Sequence, residues 1–172
     1  TSFMSTHLVI RVDSNNHIGV GHLMRCLALA QYWRDHIGVV TFLVSDLPEK
    51  FRNQLKNNKC EVIPLTSKSG TNSDARELIK YARQQEADWI VIDGYHFEQN
   101  YQKLILESGF NSLVFDDTSH LDGYSAALLL NQNIHAKKTD YEGKFRGEKL
   151  LLGNQFSLLR KEFLLSPVNK KE

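Results

Sequence analysis

The sequence predicts an α/β fold built on a mostly parallel sheet with helices on both faces. Short runs rich in Val, Ile, Leu and Phe alternate with longer segments whose apolar residues recur at helical spacing. The short runs are apolar almost throughout, as suits strands covered on both sides. Several of them close on an acid, as in Val12-Asp13, Ile92-Asp93 and Phe115-Asp116.

The elements follow in order. His7 to Asp13 is a buried strand ending in a carboxylate. A helix begins near His22, because Leu23, Leu27, Ala30 and Trp33 return at its period. Val39 to Val44 is a second strand, followed by a polar helix over Pro48 to Lys56. Glu61 to Leu65 is a short third strand, and Asp74 to Gln85 a helix with Leu78, Ile79 and Ala82 on one face. Trp89 to Asp93 is the clearest strand. The helix expected over Phe97 to Ser108 has Gly109 placed to end it. Ser112 to Asp116 repeats the strand-then-acid pattern, and Ala126 to Asn131 and Lys149 to Leu152 are further strand candidates. This alternation implies a Rossmann-like domain over residues 1–165, with 166–172 a linker or chain end. No internal repeat or low-complexity segment interrupts it.

Composition narrows the function classes. The 172 residues are 41% hydrophobic and 24% charged, the make-up of a soluble globular domain. Lys and Arg total 21 against 20 Asp and Glu, so the net charge of +1 leaves no footprint for nucleic acid or an anionic membrane. No apolar run is long enough to span a bilayer, and the opening residues lack the pattern of a secretory signal. Cys26 and Cys60 have no metal-binding spacing and read as free thiols of a cytoplasmic protein.

An open parallel sheet binds ligands beyond the carboxyl ends of its strands. Asp13, the Ile18-Gly19-Val20-Gly21-His22 turn, Asp93 to His96 and Asp116-Asp117 are therefore expected on one rim. Gly19 and Gly21 let the backbone turn sharply and approach a ligand, and the helix that follows offers free N–H groups to an anion. A tight turn without a ligand is the alternative. Arg25 or Cys26 stands where a dinucleotide fingerprint needs its third glycine, which disfavours NAD.

His22 lies at the first turn of that helix, a position that suits the neutral ring of a general base. The chain has seven histidines, most of which are surface residues near turns by default. Arg25 shares the His22 face one turn on, placed to pair with an acid or with substrate. Asp93 is expected to orient substrate hydroxyl or amide groups, and Tyr95 to stack on a sugar ring. Capping and packing are the plain roles for that pair. Asp116-Asp117 invites a Mg²⁺ reading, but no further ligands stand at definite spacing, and capping or ion pairing suits them better.

One family gathers these features. The stretch from Asp13 to Ala30, Asp-Ser-Asn-Asn-His-Ile-Gly-Val-Gly-His-Leu-Met-Arg-Cys-Leu-Ala-Leu-Ala, closely resembles the opening motif of the UDP-2,4-diacetamido-2,4,6-trideoxy-β-L-altropyranose hydrolases of pseudaminic acid biosynthesis and their polysaccharide-biosynthesis relatives. The likeness continues through Ile92-Asp93-Gly94-Tyr95, Phe115-Asp116-Asp117, Leu130-Asn131-Gln132-Asn133 and Asp140-Tyr141-Glu142-Gly143. It closes on the segment from Gly153 to Phe163, which contains Leu159-Arg160-Lys161-Glu162-Phe163.

The resemblance implies a glycosyltransferase B fold of two Rossmann-like lobes with the active site between them. This chain matches the first lobe, and its partner is expected to be the protein's own C-terminal lobe, which holds most of the UDP. The lobe alone is expected to be inactive. The implied substrate is the UDP-linked diacetamido trideoxy sugar, hydrolysed by water at the anomeric carbon with inversion. By the same resemblance His22 is the base, Gly19 and Gly21 position the sugar, and Tyr95 lies near it. Asp13, Arg25, Asp93 and Asp117 complete the expected substrate site, and no metal or cofactor is implied. A glycosyltransferase or epimerase of the same architecture and a non-catalytic sugar-nucleotide-binding module remain alternatives at this level, because the site and not the scaffold sets function.

Overall fold

The computed structural model describes residues 6–158 and Arg160. The chain end expected from residue 166, and part of the Gly153 to Phe163 segment, lie outside the described residues.

Alternation along β1 (Thr6–Val12) establishes two layers. Leu8, Ile10 and Val12 enter one hydrophobic core, while Val9 enters another on the opposite face of the sheet. The first core receives Leu23, Cys26, Leu27 and Ala30 from α1 (Val20–His36). It continues through Val40, Phe42 and Val44 of β2 (Gly38–Val44) to Leu55 of α2 (Glu49–Asn57). After the short β3 (Glu61–Pro64), α3 (Asn72–Gln84) supplies Ala75, Leu78 and Ala82 to the second core. The side chain of Thr71 caps α3 by accepting from the Asp74 N–H. Ile90 and Ile92 of β4 (Trp89–Asp93) join the second core with Tyr101 and Ile105 of α4 (Gln99–Glu107). Helices thus cover both faces of the sheet.

β5 (Asn111–Phe115) precedes β6 (Tyr124–Ser125), β7 (Leu128–Asn131), β8 (Phe145–Arg146) and β9 (Lys149–Leu152). The main sheet has seven strands in the order β3-β2-β1-β4-β5-β7-β9, and each neighbouring pair is parallel. β6 and β8 form a separate parallel pair that the sequence did not suggest, since two residues apiece carry no periodicity. The observed boundaries otherwise differ from those expected by a few residues, the usual spread at element ends.

Strand order determines where a site can form. The chain steps outward from β1 through β2 to β3, then returns to lay β4 on the other side of β1 and proceeds to β5. The order therefore reverses between β1 and β4, and a crevice at such a reversal is where open α/β sheets take their ligands. Val12 pairs with Asp93 across these two strands, so Asp13 and Asp93 emerge side by side.

Candidate active site

His22 and Arg25 lie on one face of α1, three residues apart, and both reach Asp93 at the end of β4. The His22 Nδ1 stands 2.7 Å from Asp93 Oδ1. Arg25 grips the same carboxylate with two bonds, Nε to Oδ2 and Nη2 to Oδ1, each 2.6 Å. Its outer edge binds Asp117 through Nη1 at 2.6 Å and Nη2 at 3.1 Å. Beneath the guanidinium lies the Phe115 ring, 4.8 Å from the Arg25 Cζ to the ring centroid.

This network assigns the His22 tautomer. The two hydrogens of Arg25 Nη2 are taken by Asp93 and Asp117, so its 3.1 Å approach to His22 Nδ1 is a contact between two donors that share the acceptor Asp93 Oδ1. Nδ1 carries the hydrogen and donates it to Asp93, which leaves the Nε2 lone pair as the basic position. Among the described residues nothing is hydrogen-bonded to Nε2. Tyr95 meets His22 edge-on, with centroids 4.8 Å apart, and its hydroxyl donates to Asp117 Oδ2 at 3.1 Å.

The electrostatics follow from one cation held between two anions. Burial works against the Asp117 charge, but the hydrogen bonds and charge of Arg25 outweigh it and hold the carboxyl below the usual range. The same anions keep Arg25 firmly protonated despite its burial. Burial and the Asp117 charge raise the Tyr95 hydroxyl above the ordinary phenol range. Cys26, whose thiol lies 3.5 Å from Asp93 Oδ2, is pushed well up by burial and by that carboxylate, which makes it a poor nucleophile.

Two of the expected substrate contacts sit elsewhere. Asp93 does not face outward to orient a hydroxyl: its side chain is fully buried beneath His22 and Arg25. Asp13 is also fully buried, and protein donors saturate it. Its Oδ1 accepts from Arg11 Nη1 at 2.8 Å and from the backbone N–H groups of Ser45 and Asp46, while its Oδ2 accepts from Ser69 Oγ at 2.5 Å. Burial opposes the Asp13 charge, yet bonds from His96, Arg11 and Ser69 hold its carboxyl well below the ordinary range.

The reason is Arg11, a fully buried cation inside β1 that needs acids on both sides. It binds Asp13 and also Asp74 through Nε and Nη2, and Tyr101 donates to Asp74 as well. His96 and Ser69 belong to this second network, with Nε2 2.7 Å from Oγ; the sequence places His96 on the rim without giving it a role, and sequence reasoning missed Ser69. The signal available was Arg11 itself, a charge in the middle of a buried strand.

Gly19 and Gly21 also differ from expectation in their reason for being glycine. Gly19 is extended (φ −62°, ψ 162°) and Gly21 is helical, so neither conformation demands the residue. A Cβ added at either meets no atom within 4 Å. Above them lies open space at the start of α1, whose cap makes no side-chain bond and whose first turn holds no acid. Asp116 and Asp117 face different networks. Asp116 is buried and accepts from the Tyr141 hydroxyl at 2.6 Å and the Ser119 N–H at 2.8 Å. Among the described residues no group of three or more His, Cys, Asp or Glu side chains is arranged to hold a metal. No helix there is long and apolar enough to cross a membrane.

Comparison with known proteins gives a consistent pattern. No family model matches the sequence. Over 168 residues the chain is 32% identical to the UDP-2,4-diacetamido-2,4,6-trideoxy-beta-L-altropyranose hydrolase of Campylobacter jejuni, covering 96% of this chain and 56% of that protein. An uncharacterized protein of Methanocaldococcus jannaschii is 27% identical over 175 residues, covering 95% of this chain and 34% of that protein. The chain thus spans about half the length of the first relative and about a third of the second. Among solved structures, Acinetobacter baumannii MurG superposes with a TM-score of 0.53 at 13% identity, over 74% of this chain and 41% of MurG. That likeness shows the fold alone, a Rossmann-like lobe of the glycosyltransferase B type.

Proposed function

We propose that this chain, 32% identical to the hydrolase of Campylobacter jejuni along 96% of its own length, is the N-terminal lobe of a UDP-sugar hydrolase carrying the catalytic base. The observation that supports this reading most is the His22–Asp93 pair, 2.7 Å apart at the point where strand order reverses. A buried carboxylate on Nδ1 fixes the ring and its tautomer, and stabilises the imidazolium formed when Nε2 takes a proton.

In the proposed reaction, His22 Nε2 removes a proton from water as the water oxygen attacks the anomeric carbon. The bond from that carbon to the UDP oxygen breaks, and its electron pair leaves with UDP. Attack opposite the leaving group inverts the anomeric centre. The products are UDP and the free 2,4-diacetamido-2,4,6-trideoxy sugar of pseudaminic acid biosynthesis. Within this lobe, Tyr95 borders the sugar, and the open α1 start beside Gly19 and Gly21 receives the sugar or phosphates. Arg25 and Asp117 hold Tyr95 and Asp93 in register. Positioning and one base can suffice because UDP departs readily once its charge is stabilised.

A second lobe supplies most of the UDP contacts in this reading, and the N-terminal lobe by itself should not turn the substrate over. A cytoplasmic setting accords with two buried free cysteines. The test is UDP release from the diacetamido sugar nucleotide by the full-length protein without any acceptor sugar. Steady release is the expected result, and release that requires an acceptor would overturn the hydrolase reading.

A further inference from the structure

Beside the His22 cluster lies a cleft of about 370 Å³, walled by the loops that follow β5 and β7. Asp117 belongs to both, so a sugar ring seated at His22 lies next to the mouth of the cleft. Resting on the reading of the chain as an amido-sugar nucleotide hydrolase, we infer that this cleft takes an acetamido group of the substrate and that Asn133 reads its N–H.

Asn133 is held from two directions. Its Nδ2 donates to the Asp117 carbonyl at 2.8 Å, and a carbonyl can only accept, so the orientation of the side-chain amide is assigned. Its backbone N–H donates to Asn131 Oδ1 at 3.1 Å. Asn131 is itself buried and donates to the Tyr141 hydroxyl, which donates on to Asp116. This buried relay fixes the loop after β7 to the loop after β5. What remains is the Asn133 Oδ1, an acceptor with no protein donor among the described residues.

The rest of the cleft selects the class of ligand. Asp117 and Asp140 line it beside the neutral donors Thr118 and Ser119 and the imidazole of His135, and among the described residues no lysine or arginine does, so the two carboxylates disfavour a phosphate or carboxylate. Ile134 and Ala136 supply apolar contact for a methyl group. An acetamide is neutral and has both an N–H to give and a methyl to bury, which is why the reading rests on it. The cleft thus directs the sugar substituents toward the β5 and β7 loops and the phosphates away from them, toward the start of α1.

The experiment is steady-state kinetics on the full-length protein with the UDP-diacetamido trideoxy sugar, comparing wild type, Asn133→Ala and Ala136→Leu, with UDP product inhibition and thermal unfolding measured for each. Loss of one hydrogen bond should raise KM about 3- to 10-fold with a smaller change in kcat. Filling the cleft with Ala136→Leu should also raise KM, and UDP inhibition should be unchanged in both. If Asn133→Ala does not fold, Ala136→Leu alone decides. An unchanged KM, or UDP inhibition weakened in step with KM, overturns the acetamide assignment while wild-type turnover leaves the hydrolase reading standing. Absence of UDP release by the wild type overturns the hydrolase reading and this site with it.

Discussion

The carboxylate of Asp93 lies beneath the His22 ring and shares its Oδ1 between His22 Nδ1 and Arg25 Nη2, at 2.7 and 2.6 Å. One buried acid thereby orients the histidine and anchors the arginine that holds Asp117. In the proposed mechanism Asp93 is a positioning residue that acts through His22.

Asp93→Asn in the full-length protein tests that role. An amide can present its NH₂ to His22 Nδ1, which favours the tautomer with hydrogen on Nε2 and removes the basic lone pair. The expected loss in kcat is on the order of 10²-fold or more, with a smaller change in KM. Equal loss in KM with kcat retained would assign Asp93 to substrate binding instead.

Tyr95 is half exposed, at 51%, and its ring meets His22 while its hydroxyl meets Asp117. If the ring borders the sugar, Tyr95→Ala should raise KM by about 10-fold or more, whereas Tyr95→Phe should change it only a few-fold. Similar effects for the two variants would place the contribution in the hydroxyl, through Asp117.

Arg11 is buried with Asp13 and Asp74, and its removal leaves two buried carboxylates without their cation. Arg11→Met should destabilise the fold by about 3–5 kcal/mol, read from urea unfolding. A change below about 1 kcal/mol would show that the network reorganises around the loss.

Acid sensitivity follows from Asp13 and Asp117, whose folded-state carboxyls are both held below the usual range. Groups depressed in the folded state contribute stability that is fully present above their unfolded pKa of about 3.9 and lost as pH falls through the folded value. The urea midpoint should therefore drop steeply below about pH 4 on their account. Asp13→Asn should lower stability at neutral pH and flatten the acid limb, and an acid limb as steep as wild type would contradict the assignment.

The inner strands of the main sheet were legible because a strand buried on both faces must be apolar almost throughout, and α1 because its core face repeats at helical spacing. His22 and Arg25 could be placed on a shared face for the same reason. The partner of His22 could not, since it depends on β4 lying beside β1, a fact of strand order that no local pattern carries. Asp13 and Asp93 look alike in sequence, each an acid closing a strand. Arg11 buries the first and α1 buries the second, so neither is open to a sugar. The β6–β8 pair left no local signal at all.

The proposed mechanism rests on His22 as the base. The most direct test is the rate of UDP release from UDP-2,4-diacetamido-2,4,6-trideoxy-β-L-altropyranose by the full-length protein, wild type against His22→Asn, with both shown to be folded. A loss of roughly two orders of magnitude or more in kcat is the predicted result. Turnover by His22→Asn near the wild-type rate would contradict the role of His22 as the base.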